Sequence, residues 1–223
     1  MTYALHKDWL PALSFVLLIA CSGATAKKET VFASGSANEK QTEWRQGDIV
    51  FQVSRSGQGA AIQAATRSKY SHCGMLFQES GKFYVLEAVQ PVKITSIEKW
   101  IKQGDDGHYV IKRLKEAEKV LTPAVIEEMK KEGKKMLGKN YDLTFRWSDD
   151  RIYCSELVWK IYQRTTGIEL ASLDSFRDFD LTGELTRMIL KDRFGDKVPY
   201  DEKAISPGKL FESDRLRRVQ VVN

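Results

Sequence analysis

Apolar residues follow two kinds of spacing along the chain, one typical of strands and the other of helices. Short runs rich in β-branched and aromatic residues are typical of strands, and they occur at residues 49–53, 71–77, 83–88, 92–95, 108–114 and 216–222. Apolar residues at helical spacing, in several cases after capping residues such as Thr122 and Asp180, predict helices at residues 57–65, 96–101, 122–138, 153–162 and 180–191. Short antiparallel strands accompanied by separate helices indicate an α+β fold.

The second and third predicted strands form a hairpin that brings two titratable residues together. The Ser-Gly pair at residues 80–81 suits a two-residue turn, whose register places Gly74 opposite Glu87. His72 then lies on the same face as Glu87, as a diagonal neighbour roughly 6–8 Å away. The strand around Glu87 is otherwise apolar, so the carboxylate needs a partner, and His72 is the available one. Such a pair resembles the oriented imidazole of a catalytic triad. This prediction depends on the hairpin register, because a shift of one residue would place the two side chains on opposite faces.

Cys154 is the candidate nucleophile. It follows a polar, turn-like segment at residues 148–151 and opens an apolar helical pattern, so we expect it in the first turn of a helix. The partial positive charge of a helix N-terminus favours a thiolate, and its free N–H groups can hold an oxyanion. Taken alone, Cys154 and His72 would each suit a packing role, and the combination with Glu87 favours chemistry.

Cys73 and His108 are the competing candidates. Cys73 neighbours His72 on a strand, so it points to the opposite face, which favours core packing and argues against a disulfide with Cys154. His108 follows a Gly-Asp-Asp-Gly segment and is expected at the surface. The few histidines and cysteines lack the spacing of a zinc site, so neither a metal nor a cofactor is expected.

The number and distribution of charged residues indicate which kinds of partner the protein could bind. The 223 residues carry a net charge of +5, but basic and acidic residues alternate and form no dense basic stripe. Nucleic-acid binding is therefore not expected.

The N-terminus predicts export. An apolar run of 11 residues, LPALSFVLLIA, is too short to span a bilayer and suits the hydrophobic core of a signal peptide. It ends in Leu-Ile-Ala-Cys, which resembles a lipobox and makes Cys21 a candidate for lipidation; cleavage near Ala24 to Ala26 is the alternative. We expect a signal peptide at residues 1–21, a polar tether at 22–43 and one catalytic domain at 44–223. The protein would then be periplasmic, with a lipid anchor in the outer membrane as its one membrane attachment.

These motifs together resemble a known family. The order His, Glu, Cys, with Ser-His-X-Gly on a strand and Tyr-Cys-Ser-Glu-Leu at a helix start, is similar to the YiiX-type permuted papain-like amidases. These are relatives of the NlpC-type cell-wall peptidases and of lecithin:retinol acyltransferase. The resemblance implies a circularly permuted papain-like fold, in which an antiparallel sheet or barrel packs against helices. It also implies Cys154 as nucleophile, His72 as base, Glu87 as its polar partner and Tyr141 as a further residue near the active site.

The resulting expectation is a cysteine amidase or peptidase that forms a thioester on Cys154, with peptidoglycan stem peptides as candidate substrate. Two alternatives remain open. A lipid acyltransferase or phospholipase of the same fold would show a long apolar groove beside Cys154. A non-catalytic ligand-binding envelope lipoprotein would have a Cys154 that is buried, disulfide-bonded or unreactive. Residues 172–199, with Phe176, Phe179 and Phe194, are expected to anchor on the core; shaping the substrate cleft is their alternative role.

Overall fold

A computed structural model of the protein describes residues 44–222. The predicted signal peptide, the tether and the candidate lipidation residue Cys21 lie outside the described residues, as does Asn223. Within residues 44–222, no helix has the length and apolar character needed to cross a membrane.

One antiparallel sheet of six strands organises the fold, in the order β4-β3-β2-β1-β5-β8. The strands of the described chain are β1 (Ile49–Ser54), β2 (His72–Glu79), β3 (Lys82–Glu87), β4 (Lys93–Ser96), β5 (Gly104–Leu114), β6 (Asp174–Ser175), β7 (Lys203–Ala204) and β8 (Leu216–Val222). The last two short strands before β8 form a separate pair. The predicted antiparallel sheet with helices is confirmed. The barrel alternative is wrong, because β4 and β8 remain at opposite edges of an open sheet in the described residues.

The β2–β3 hairpin has the predicted register. Ser80 and Gly81 have φ values of 48° and 76°, the left-handed geometry of a tight turn that matches the twist of the flanking strands. Pairing runs from Glu79 with Lys82 to Met75 with Leu86. At the next position a Cβ on Gly74 would lie 2.4 Å from Val85 Cγ1 and 2.9 Å from the carbonyl oxygen of Leu86, so the site requires glycine.

Seven α-helices accompany the sheet in the described chain, together with a short 3-10 helix at Phe176–Asp178. The α-helices are α1 (Gly57–Thr66), α2 (Ile97–Gln103), α3 (Ala117–Val120), α4 (Pro123–Met136), α5 (Cys154–Thr166), α6 (Glu184–Phe194) and α7 (Pro207–Phe211). The helix predicted from Asp180 begins four residues later, at Glu184. The helix is confirmed but its predicted start is wrong, because the Asp180 carboxylate accepts hydrogen bonds from the backbone and hydroxyl of Thr182 and pairs with Arg67.

Strand alternation gives the sheet two buried faces. On one face, Ile49, Phe51 and Met75 join a core that includes residues of α4 and α5. On the other, Val50 and Leu76 join a smaller cluster around Trp100 of α2. Helix α5 is buried without interruption over residues 154–162, so its N-terminus is held firmly against the sheet.

Candidate active site

The imidazole of His72 is held from one side by a carboxylate. Its Nε2 lies 2.7 Å from Oε2 of Glu87, and the Thr95 hydroxyl donates to the other carboxylate oxygen, Oε1, at 2.6 Å. The ring of Trp100 stacks on the imidazole with centroids 6.1 Å apart. The Glu87 side chain is inaccessible to solvent and that of His72 is 10% exposed. These contacts fix the ring and leave Nδ1 as the nitrogen available for a further partner.

Cys154 is the first residue of α5, as predicted. The preceding Tyr153 has extended backbone geometry, and its N–H donates to the Glu156 carboxylate at 3.3 Å. The first N–H groups of a helix have no partner within the helix and carry its partial positive charge, so they favour a thiolate and a developing oxyanion here. The sulfur therefore lies where its negative charge is stabilised.

The charges on Cys154 and His72 support each other. Hydrogen bonding with Cys73 and with His72 holds the pKa of the Cys154 thiol well below its usual range, against the opposing effect of burial. Burial alone would lower the pKa of His72, but its interactions with Cys154 and Glu87 raise it to about 10. Burial opposes ionisation of Glu87 too, yet hydrogen bonds from His72 and Thr95 lower its pKa. All three shifts favour a thiolate beside an imidazolium.

Cys73 has its predicted packing position and one contact that was not predicted. It is buried in the core on the opposite strand face from His72, as expected, and both it and Cys154 are free thiols. However, α5 packs across that same face, so the Cys73 side chain contacts Cys154. Burial and the neighbouring sulfur raise the pKa of Cys73 well above its ordinary value. Cys73 is therefore a protonated neighbour of the candidate nucleophile and more than a packing residue.

Tyr141 lies beside the same sulfur. Its backbone pairs with Ile152 just before α5, and its side chain contacts Cys154. The phenol oxygen accepts a hydrogen bond from Nε2 of Gln58 at 3.1 Å. Burial and the adjacent thiol raise the pKa of Tyr141 well above 10, so the hydroxyl keeps its proton and can donate it to a nearby oxygen.

An apolar cavity of about 740 Å³, open mouth included, adjoins Cys154. Its walls come from α1, α6 and the segments before α5 and α7. Phe176, Phe179 and Phe194 all line this cavity. Their positions match the alternative role given above, which is to shape the substrate cleft.

Other contacts were not foreseen from the sequence. Thr95 reaches Glu87 across the β3–β4 pairing, and Gln58 reaches Tyr141 from α1; an isolated polar residue gives no signal of such distant partners. His108 lies within β5, as the strand predicted at residues 108–114 implies, and is half-buried because it stacks on Tyr70, with ring centroids 6.0 Å apart. The Gly-Asp-Asp-Gly segment also belongs to this strand, where residues 106–107, both with positive φ, form an irregularity.

Comparisons with known proteins agree on one family. The profile of a permuted papain-like amidase enzyme, the YaeF/YiiX or C92 family, matches residues 43–220. The protein YiiX of Escherichia coli K12, described as uncharacterized, is 43% identical over 173 residues, which cover 78% of this chain and 84% of that protein. A crystal structure described as metalloprotein YiiX from Escherichia coli O157:H7 has a TM-score of 0.76 at 43% identity, covering 80% of this chain and 97% of that one.

Proposed function

This chain belongs to the permuted papain-like amidase family, and from that membership we propose that it is a cysteine hydrolase that cleaves an amide bond through a thioester on Cys154. One observation carries the proposal. His72 is fixed by Glu87 at 2.7 Å through Nε2, while Cys154, with a lowered pKa, interacts with the same imidazole at the start of a buried helix. This arrangement supports Cys154 as nucleophile, His72 as base and Glu87 as the orienting group.

The reaction begins from the thiolate–imidazolium pair. The sulfur of Cys154 attacks the carbonyl carbon, and His72 delivers its proton to the leaving amine as the C–N bond breaks. The neutral imidazole then takes a proton from water, and the resulting hydroxide cleaves the thioester. The acid product leaves, and the proton on His72 restores the starting pair. Glu87 keeps the imidazole oriented throughout and stabilises its charged form.

Two groups suit the oxyanion that forms on the carbonyl. The backbone N–H of Cys154 belongs to the free first turn of α5, and the Tyr141 hydroxyl contacts the same sulfur while keeping its proton. Gln58 holds the phenol by donating to its oxygen. Donors fixed in advance stabilise the developing charge without reorganising during the reaction.

The relative described as a metalloprotein raises the question of a metal here. Within residues 44–222, no group of three or more His, Cys, Asp or Glu side chains is arranged to hold a metal ion. The imidazole of His72 is moreover engaged by Glu87. The described donor set does not fit a metal, and no step above depends on one.

The location and natural substrate are further parts of the proposal. The signal-like N-terminus favours an exported, periplasmic enzyme, anchored through Cys21 if that residue is lipidated. Peptidoglycan stem peptides are then accessible amides, and this suggestion rests on location. The apolar cavity beside Cys154 instead favours the second candidate function, acyl hydrolysis or transfer on a lipid-like substrate.

Alkylation of Cys154 by iodoacetamide from pH 5 to 11 tests the proposed nucleophile. Peptide mapping separates the label on Cys154 from that on the other cysteines. Because the pKa of Cys154 is lowered, we expect labelling well below the ~8.5 pKa of a free thiol. His72→Ala should remove the low-pH reactivity. Hydrolysis should fall above about pH 10, where His72 loses the proton that the leaving group needs.

His108→Ala is the matched control, since His108 stacks on Tyr70 and has no part in the proposed reaction. It should label like the unaltered protein. A Cys154 that labels like an ordinary thiol, with or without His72, would eliminate the hydrolase and leave a ligand-binding envelope protein as the better account.

A further inference from the structure

We propose, building on the hydrolase function above, that the acyl part of the substrate is a hydrocarbon chain, which the apolar cavity beside Cys154 binds. The enzyme would then act on fatty-acyl amides or esters in preference to peptides with polar side chains. The geometry at the sulfur, the character of the walls and the route of the leaving group all point to this substrate class.

The positions of His72 and Cys154 determine which half of the substrate enters the cavity. Cys154 and its neighbours Tyr153 and Ser155 line the cavity, whereas His72 does not. The leaving group must lie beside His72, because it receives the imidazolium proton. The other substituent of the attacked carbonyl, the acyl chain, is therefore the part directed into the cavity.

The walls suit hydrocarbon. Ile62, Leu181, Ile189 and Leu190 provide aliphatic surface, together with the phenylalanines described above. A polar or charged side chain would lose its hydration there without enough hydrogen-bond partners. A methylene chain, in contrast, gains free energy from each carbon that leaves water.

The cavity contains a single Asp, Glu, Lys or Arg among its described lining residues, namely Arg193. Its guanidinium donates to Oε1 of Gln58 at 3.2 Å and lies over the ring of Phe145, 5.6 Å from the centroid. Gln58 in turn holds Tyr141. Arg193 thus packs into the cavity wall near Cys154. Because its guanidinium is held by Gln58 and Phe145, the rest of the cavity surface stays apolar.

The thioester, which stays on Cys154 after the first product leaves, also supports an acyl chain in the cavity. When Cys154 attacks, the carbonyl carbon forms a bond to sulfur and breaks its bond to the leaving nitrogen or oxygen. The acyl chain stays attached to the enzyme until water cleaves the carbon–sulfur bond and releases a fatty acid. An acyl-side cavity therefore holds the substrate through both steps, while the first product leaves from the His72 side.

p-Nitrophenyl esters of linear fatty acids from two to fourteen carbons test the proposal on the full chain. Their leaving group is constant, so differences in the burst and steady-state release of p-nitrophenolate report the acyl side alone. We expect kcat/KM to rise up to about fourfold for each added methylene until the cavity is filled, since burial of one methylene contributes ~0.8 kcal/mol.

Substitutions at one lining position sharpen the test. Ile189→Trp should shift the preferred chain to a shorter length, and Ile189→Ala should shift it to a longer one. Met188→Trp is the matched control: Met188 is the preceding residue of α6, is 63% exposed and does not line the cavity. It should leave the chain-length profile unchanged.

The outcomes separate this proposal from the hydrolase itself. A flat chain-length profile, or one that both Ile189 variants leave unmoved, would overturn the acyl-chain site; His72-dependent labelling of Cys154 would then still support the hydrolase. Loss of His72-dependent labelling in the unaltered protein would instead refute the hydrolase. A length optimum that moves in opposite directions in the two variants would establish the site.

Discussion

In the part of the chain that the structure describes, two buried ion pairs occur in the six-stranded sheet, and one of them adjoins the candidate nucleophile Cys154. Asp48, just before β1, accepts two hydrogen bonds from Arg113 of β5, Nε to Oδ1 at 2.6 Å and Nη2 to Oδ2 at 2.7 Å. His72 of β2 and Glu87 of β3 form the other pair, at 2.7 Å. None of the four side chains is more than 10% exposed. Burial and short contacts are thus common to both pairs, and they do not identify the site.

The Asp48–Arg113 pair is suited to a structural role. The fork of Arg113 matches both carboxylate oxygens, and Oδ2 of Asp48 also accepts the backbone N–H of Arg45 at 2.8 Å. A guanidinium does not lose its proton in proteins, so this partner cannot act as a base. Burial raises the pKa of Asp48 despite its hydrogen bonds with Arg113 and Arg45, which reflects the free-energy cost of a carboxylate away from water.

The His72–Glu87 pair differs because its cation has a second functional nitrogen. Glu87 occupies Nε2, and the same imidazole, whose pKa is raised to about 10, also interacts with Cys154 and can give up a proton, which a guanidinium cannot. A buried ion pair is therefore a candidate catalytic group when one member keeps a titratable atom directed at a nucleophile. Replacing each cation in turn separates the shared structural effect from the chemical one.

The largest expected effect comes from His72→Ala compared with Arg113→Met. Both variants leave a buried carboxylate without its cation, so both should lower the free energy of unfolding by ~3–5 kcal/mol in denaturant titration at neutral pH. Only His72→Ala should also reduce kcat/KM per folded molecule, by roughly 10²- to 10⁴-fold.

Arg113→Met should instead change kcat/KM of the folded fraction by less than about twofold, as expected for sites without shared partners. A large loss of activity in folded Arg113→Met would mean that the two pairs are coupled through the sheet. The pH dependence of stability gives a further check. The pKa of His72 is raised on folding, so its contribution to stability is full below pH 6.5 and is lost as the pH rises through about 10.

Glu87→Gln should have the next largest effect. The amide can still accept or donate one hydrogen bond, but it no longer stabilises the imidazolium, so the pKa of His72 should fall. We expect kcat to decrease roughly 10²-fold, at the low end of general acid–base contributions. The alkaline limb of the kcat profile should move to lower pH, which a pH–rate measurement detects.

Thr95→Val provides the matched comparison for Glu87→Gln. It keeps the carboxylate but removes the 2.6 Å hydrogen bond to Oε1. Hydrogen bonds to charged groups contribute ~1.5–3 kcal/mol to stability, so this variant should be less stable while its rate falls less than that of Glu87→Gln. If Thr95→Val reduced kcat as strongly, the orientation of Glu87 would matter more than its charge.

The sequence was sufficient for those parts of the site that depend on local periodicity. The turn at residues 80–81 set the β2–β3 register, and the two-residue alternation of strands then placed His72 on the face of Glu87. The polar segment before Cys154 correctly indicated the start of α5. In each case a few neighbouring residues determine the geometry.

Contacts between distant segments could not be predicted in the same way. Strand alternation gave the face of Cys73 correctly, but nothing local shows that α5 crosses that face with its N-terminus beside the sulfur. The cavity depends likewise on how α1 and α6 meet, far apart in the chain. The start of α6 was misplaced because Asp180 has competing partners in its own turn and at Arg67.

The smallest expected effect comes from substitutions of Cys73. They test whether the reactivity of Cys154 depends on Cys73 as well as on the His72–Glu87 pair. Hydrogen bonding from Cys73 contributes to the lowered pKa of Cys154. In Cys73→Ala that pKa should rise towards the ~8.5 of a free thiol, which slows alkylation at pH 6 about tenfold for each unit by which the new pKa exceeds 6. Cys73→Ser retains a hydroxyl donor and should recover most of the low-pH reactivity. Both substitutions change the packed volume little, so a difference between them would report the hydrogen bond. If both variants and the unaltered protein react equally, Cys73 has only the packing role that its strand position predicted. His72 and the N-terminus of α5 would then be sufficient to account for the thiolate.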